Sequence, residues 1–172
     1  MKGYIGDVIG GYQFTHMASY HAGVVIKNCL FHIPTKVNYK AVPWVTFTDP
    51  EVAHVGLTYQ EIPPNSKTLL LPFKDNDRAQ AEGETTGFIK VTTTQKGRIL
   101  SVSIVGAQAG ELVLPWGLVM DKNLKIRVLT DVIAPYPTLS EITKRVSSFF
   151  YTPLLFSPLT RKLVRFLMKI IP

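Results

Sequence analysis

The sequence predicts an α+β domain in which an antiparallel sheet is covered by helices on one face. Three observations carry this expectation. Strand-forming residues are concentrated between Trp44 and Val105. Helical periodicity appears before that block and again after it, with no regular strand–helix alternation of the kind that builds a parallel sheet. Two segments within the block, Phe88 to Thr93 and Arg98 to Val105, flank Gln95-Lys96-Gly97 and read as a hairpin.

In chain order, Tyr4-Ile5 reads as the end of a strand running into Gly6-Asp7 and a Gly10-Gly11 turn. Phe14, Met17, Ala18, His21, Ala22 and Val25 then recur at helical spacing. Pro34 and the polar residues up to Lys40 look like a linker. Trp44 to Thr48 is β-branched and aromatic, Asp49-Pro50 favours a turn, and Val52 to Leu57 resumes the strand. Thr58 to Glu61 starts a short helix that Pro63-Pro64 must stop, and Thr68 to Phe73 is a further apolar strand. After the hairpin, Glu111 to Asp121 is a mostly apolar helix in which Pro115 must sit in the first turn or kink it. Thr138 to Tyr151 is the clearest helix: Thr138 and Glu141 match a capping box, Leu139, Ile142, Val146, Phe149 and Phe150 form its buried stripe, and Pro153 ends it. Three units are expected: residues 1–35, 36–152 and 153–172.

Composition narrows the function classes. A chain of 172 residues can bury a proper core. It has a single cysteine, Cys29, read as a buried small hydrophobe; one thiol makes no internal disulfide and no cysteine-rich zinc site. The expected location is therefore the cytoplasm. His21 and His54 lie among apolar residues without acidic or cysteine partners at ligand spacing, so structural histidines are expected and no metal site. The formal charge is +7, yet six Lys/Arg and no acid follow from Lys144 onward, so everything before carries +1. Ser157-Pro158 is a good helix start. Beyond it, Arg161, Lys162, Arg165 and Lys169 fall on one arc, and Leu163, Val164, Phe166, Leu167, Met168, Ile170 and Ile171 cover the other side. This basic amphipathic helix either adsorbs to an anionic membrane surface or packs on its own domain or on a second copy. Its charges carry no nucleic-acid motif.

Several segments, in order, resemble the last third of the FAD-dependent pyridine nucleotide–disulfide oxidoreductases, the family of mercuric reductase, dihydrolipoamide dehydrogenase and glutathione reductase. They are Ile5-Gly6-Asp7-Val8, Phe14-Thr15-His16-Met17-Ala18, the run from Val42 to Thr58 (VPWVTFTDPEVAHVGLT), Asp77-Arg78-Ala79, Gly87-Phe88-Ile89-Lys90-Val91, Val105-Gly106-Ala107, Ala109-Gly110-Glu111 and Pro137-Thr138-Leu139-Ser140-Glu141. The resemblance implies that residues 36–152 are the family's dimerisation domain and form a homodimer. It also implies that residues 1–35 are a remnant of the FAD domain, and that Met1-Lys2-Gly3 falls inside a strand of a longer parent. The chain alone is not expected to turn over. One alternative is a component that completes a flavin site with a separate FAD/NAD chain; another is a peripheral membrane domain acting through the tail, at the inner face of the membrane.

The resemblance also assigns roles. Asp7 matches the carboxylate that bonds the flavin's ribityl chain, and Thr15 and His16 match the helix start aimed at the flavin ring; read alone, Asp7 is a turn carboxylate and Thr15 a simple cap. Tyr136 stands where the family keeps a catalytic histidine just before Pro-Thr, and Glu141 matches the glutamate that orients it. A phenol with a pKa of about 10 is a poor proton shuttle at neutral pH, whereas an imidazole near 6.5 is well matched. Tyr136 is left to donate a hydrogen bond, or to act as an acid if its pKa is lowered. A parent reducing a quinone through the flavin has no need of the histidine.

Overall fold

A computed structural model describes residues 4–170. The chain forms two compact units, one ending at Tyr39 and the other beginning at Lys40.

In the first unit the expected strand end at Tyr4-Ile5 has no ladder partner among the described residues. Ile5 is extended, and a 3-10 turn, Gly6–Ile9, follows it; the strand expected for Met1–Gly3 lies outside the described residues. Helix α1 is Thr15–Cys29. It buries Met17, His21 and Val24, a narrower stripe than the periodicity predicts, and leaves Val25 exposed. Both ring nitrogens of His21 are engaged: Nδ1 accepts from the Gly6 N–H at 3.3 Å and Nε2 meets the Tyr39 hydroxyl at 3.1 Å. Cys29 closes α1 and is exposed, which corrects the expectation of a buried hydrophobe. It occupies the last turn of a helix whose burial ends at Val24.

The second unit is built on five antiparallel strands: β1 (Pro43–Thr46), β2 (Glu51–Gly56), β3 (Lys67–Pro72), β4 (Phe88–Thr93) and β5 (Ile99–Gly106), in the order β1-β2-β5-β4-β3. Period-2 alternation places Ala53, Val55, Leu71, Ile89, Val91, Val102 and Ile104 on one buried face. Covering that face are α3 (Ala109–Leu112), α4 (Leu114–Asp121) and α6 (Glu141–Phe149), which bring Leu112, Trp116, Val119, Met120, Ile142 and Val146 into the same core. The short α2 (Asp77–Glu82) and α5 (Arg127–Asp131) complete the layer. The opposite face is half-buried and holds Trp44, His54 and Ser103 side by side in register. His54 Nδ1 lies 3.0 Å from the Ser103 hydroxyl, and its ring is tilted 33° to that of Trp44 with centroids 5.4 Å apart. Gly87, entering β4, has φ +111°, and a Cβ there would come within 1.9 Å of the Val105 carbonyl oxygen, so only glycine fits this approach of two strands.

Capping differs from expectation at two places. The capping box forms at Thr58 and Glu61, around the 3-10 turn Tyr59–Glu61: Glu61 accepts from the Thr58 N–H at 2.8 Å. It does not form at Thr138 and Glu141. The Thr138 hydroxyl donates to the Pro135 carbonyl at 2.7 Å, α6 begins only at Glu141, and no side chain caps it. The stripe of α6 accordingly buries Leu139, Ile142 and Val146, whereas Phe149 is exposed. Pro153 does not simply end the helix; it sits in the first turn of α7 (Thr152–Leu155). The last helix, α8, is Pro158–Ile170, with the Ser157 Oγ accepting from the Thr160 N–H at 3.1 Å. Ile171 of the expected apolar face lies outside the described residues.

Candidate functional site

The segment joining α5 to α6, residues 132–140, carries Tyr136 at its tip, with a cis peptide between Tyr136 and Pro137. Four bonds fix it. Lys144 Nζ donates to the Val132 carbonyl at 2.7 Å, and the Thr138 hydroxyl closes the turn onto Pro135. Asn76 Nδ2 donates to the Thr138 carbonyl at 3.1 Å, and Arg145 donates to the carbonyl of Asp75. Asn76 is fully buried and does two things at once, because its Oδ1 also caps α2 by accepting from the Ala79 N–H at 3.0 Å.

Tyr136 is 69% exposed, and its hydroxyl donates to Asp77 Oδ2 at 2.8 Å. The hydrogen bond to Asp77, and then that residue's negative charge, hold the phenol above its ordinary pKa; Glu141 adds a smaller push in the same direction. The phenol is therefore a protonated donor throughout the neutral range, and the shift runs opposite to the lowered pKa that acting as an acid would require. Glu141 does not bond Tyr136. Its Oε2 is buried without a hydrogen-bond partner among the described residues. The structure thus joins Tyr136 to Asp77 where the resemblance pairs it with Glu141. Asp77 and Asn76 are the residues that sequence reasoning missed. An asparagine immediately before a short helix is an N-cap signal, but nothing in sequence spacing links Asp77 to a tyrosine 59 residues later.

The other candidates lie in the first unit. Asp7 is exposed within its 3-10 turn, and its carbonyl accepts from the Gly10 N–H at 3.1 Å. Thr15 is the first residue of α1 and not its cap. Phe14 holds the cap position, and no side chain caps this helix start. The His16 ring stacks on Phe14 with centroids 5.0 Å apart. An exposed carboxylate and a helix start with no side-chain cap are donor and acceptor types that fit the ribityl hydroxyls and the electron-rich ring of a flavin.

Beside the Tyr136 segment, α4, α5 and residues 132–135 enclose an apolar groove of about 420 Å³. Leu112, Leu118, Leu129, Val132, Ile133 and Pro135 line it, and Ile133 is 96% exposed at its rim. An isoleucine so fully in water beside an apolar groove is characteristic of an association surface.

Residues 42–147 match the family model for the pyridine nucleotide-disulphide oxidoreductase dimerisation domain. The chain is 38% identical to mercuric reductase from Staphylococcus aureus over 149 residues, 84% of this chain and 27% of that protein. It is 34% identical to dihydrolipoyl dehydrogenase from Geobacillus stearothermophilus over 142 residues, 80% of this chain and 30% of that one. Among solved structures, the HOCl-induced flavoprotein disulfide reductase RclA from Escherichia coli superposes with a TM-score of 0.76 at 28% identity, covering 84% of this chain and 34% of its own. The chain thus spans about a third or less of the length of these relatives. With its antiparallel sheet, one-sided helical layer and matched segment, the chain belongs to the pyridine nucleotide-disulphide oxidoreductase family, through the dimerisation domain of that family.

Proposed function

We propose that this domain pairs two copies of the chain about a two-fold axis, and that the chain alone does not turn over substrate. The groove between α4, α5 and residues 132–135 carries this reading: it is the apolar, exposed surface of the very segment that matches a dimerisation domain. Two-fold interfaces are self-complementary, and stable ones bury apolar surface of this kind. Tyr136 adjoins the groove and is accessible, so it is placed to face a partner chain. Its protonated, Asp77-bound hydroxyl is suited to holding or orienting a group and unsuited to shuttling thiol protons near neutrality. The acceptor proposed for a whole protein of this type is accordingly not a thiol; a quinone reduced through the flavin fits. Ile133→Asp places a charge in the groove and is expected to convert the dimer to monomer in sedimentation equilibrium, with the circular dichroism of the fold retained. An unchanged association state would refute the pairing surface.

A second reading gives the chain a part in a flavin site completed by a separate FAD- and NAD-binding chain. The start of α1, which no side chain caps, and the exposed Asp7 favour it. Asp7 would accept from ribityl hydroxyls, and the start of α1, at Thr15 and His16, would lie against the flavin ring, which supplies the hydride chemistry when bound. Flavin absorbance in the purified chain would contradict an inert pairing module and support this reading; a colourless preparation that fails to quench added FAD would count against it.

A further inference from the structure

We propose that α8 is a docking helix for an anionic lipid surface. Its residues from Arg161 to Ile170 are exposed on every face, and no residue of α8 is buried. At about 100° per residue, Arg161, Lys162, Arg165 and Lys169 occupy one arc of about 100°. Leu159, Leu163, Phe166, Leu167 and Ile170 occupy the opposite side, all in water. The preceding turn adds Leu154, Leu155 and Phe156, each more than half exposed. A contiguous apolar face of this size is costly to leave in solvent, so something covers it.

Charge identifies the occupant. No acid follows Glu141, so the helix has no carboxylate of its own to pair with its four cations. The rest of the chain sets its twelve Asp/Glu against thirteen Lys/Arg, so it offers the helix no net negative charge. A second copy of the helix would offer the apolar face a match but would add four more cations and no anion. An anionic bilayer satisfies both faces: phosphate groups meet the Lys/Arg arc while Leu163, Phe166 and Ile170 enter the acyl boundary. Thirteen helical residues rise about 20 Å, too few to cross the hydrocarbon core, and no helix of the described residues is long and apolar enough to do so. The helix therefore lies in the plane of the surface and ties the second unit to it.

The test is flotation of the full chain with vesicles of phosphatidylcholine and phosphatidylglycerol, and with vesicles of phosphatidylcholine alone. The wild-type chain is expected to float with the anionic vesicles, to be released as salt is raised, and to stay behind with the zwitterionic ones. Replacing Arg161, Lys162, Arg165 and Lys169 together by Gln should weaken partitioning by roughly two to three orders of magnitude. Replacing Leu163 and Phe166 by Ser should weaken it as well, with the fold retained because α8 contributes nothing to the core. Equal flotation with both vesicle types, or undiminished flotation of the four-Gln chain, would overturn the proposal. So would absence of binding combined with a fall in molar mass on the Leu163→Ser, Phe166→Ser change, which would give the apolar face to a second copy.

Discussion

Replacing Asn76 by Ala should cost about 2–3 kcal/mol, because this one buried side chain satisfies two backbone groups on different elements. Its Oδ1 caps α2 through the Ala79 N–H at 3.0 Å, and loss of an Asn cap costs about 1 kcal/mol. Its Nδ2 holds the Thr138 carbonyl at 3.1 Å, and an orphaned backbone acceptor costs about 1–3 kcal/mol. Thr138 is half-buried, so water recovers part of the second loss and the lower half of that range applies. Asn76→Ser separates the two effects: serine can cap but is too short to reach Thr138, so it should recover about 1 kcal/mol of the loss. Urea unfolding is the assay, with a shifted midpoint and an unchanged slope as the sign of a pure stability change. If Asn76→Ala costs under about 0.5 kcal/mol, or if Ser and Ala are equally damaging, the two-bond account of how the Tyr136 segment is held is wrong.

Other expectations follow from the same geometry. Burial lowers the His54 imidazole below its ordinary 6.5, partly offset by the Gly56 and Leu57 backbone. Its contribution to stability is thus whole above about 6.5 and lost as pH falls through the folded value. His54→Gln should flatten the acid limb of the stability–pH curve, and an unchanged limb would count against the assignment. The Tyr136 phenol, raised by Asp77, should ionise later than free tyrosine in an NMR titration of its ring carbons, and Asp77→Asn should bring it back down. Its contribution to stability is present below about 10 and lost as pH climbs through the raised folded value; ionisation of Tyr136 at or below the ordinary value of about 10 would refute this. Gly87→Ala should destabilise by at least about 3 kcal/mol in the same urea assay, since the new Cβ at 1.9 Å from the Val105 oxygen meets backbone that must itself move.

The sheet was legible in the sequence because alternation and turn chemistry are local. The hairpin boundaries at Thr93 and Ile99 fall within a residue of the pattern, and the one-sided helical layer follows from the order of elements. The helix start expected at Thr138 does not form for a physical reason: the same hydroxyl that can cap a helix here closes a turn onto Pro135, and a four-residue motif does not encode which partner wins. Cys29 departs from the burial its residue type favours because residue type predicts burial only on average, whereas its position at the end of α1 decides exposure. At the candidate site, Tyr136 could be found from the Pro-Thr that follows it. Its partner could not, because the Asp77 contact depends on how Asn76 docks the segment against α2, which is a tertiary arrangement.

Pairing of two chains through the Ile133 groove, in the segment that matches the family's dimerisation domain, is open to one simple measurement. Sedimentation equilibrium of the intact chain tests it most directly. The expected mass is twice the 19.2 kDa of a single chain, a doubling that survives Leu163→Ser with Phe166→Ser in α8 and is lost with Ile133→Asp. A single-chain mass at all concentrations, or a dimer indifferent to Ile133→Asp, would contradict it.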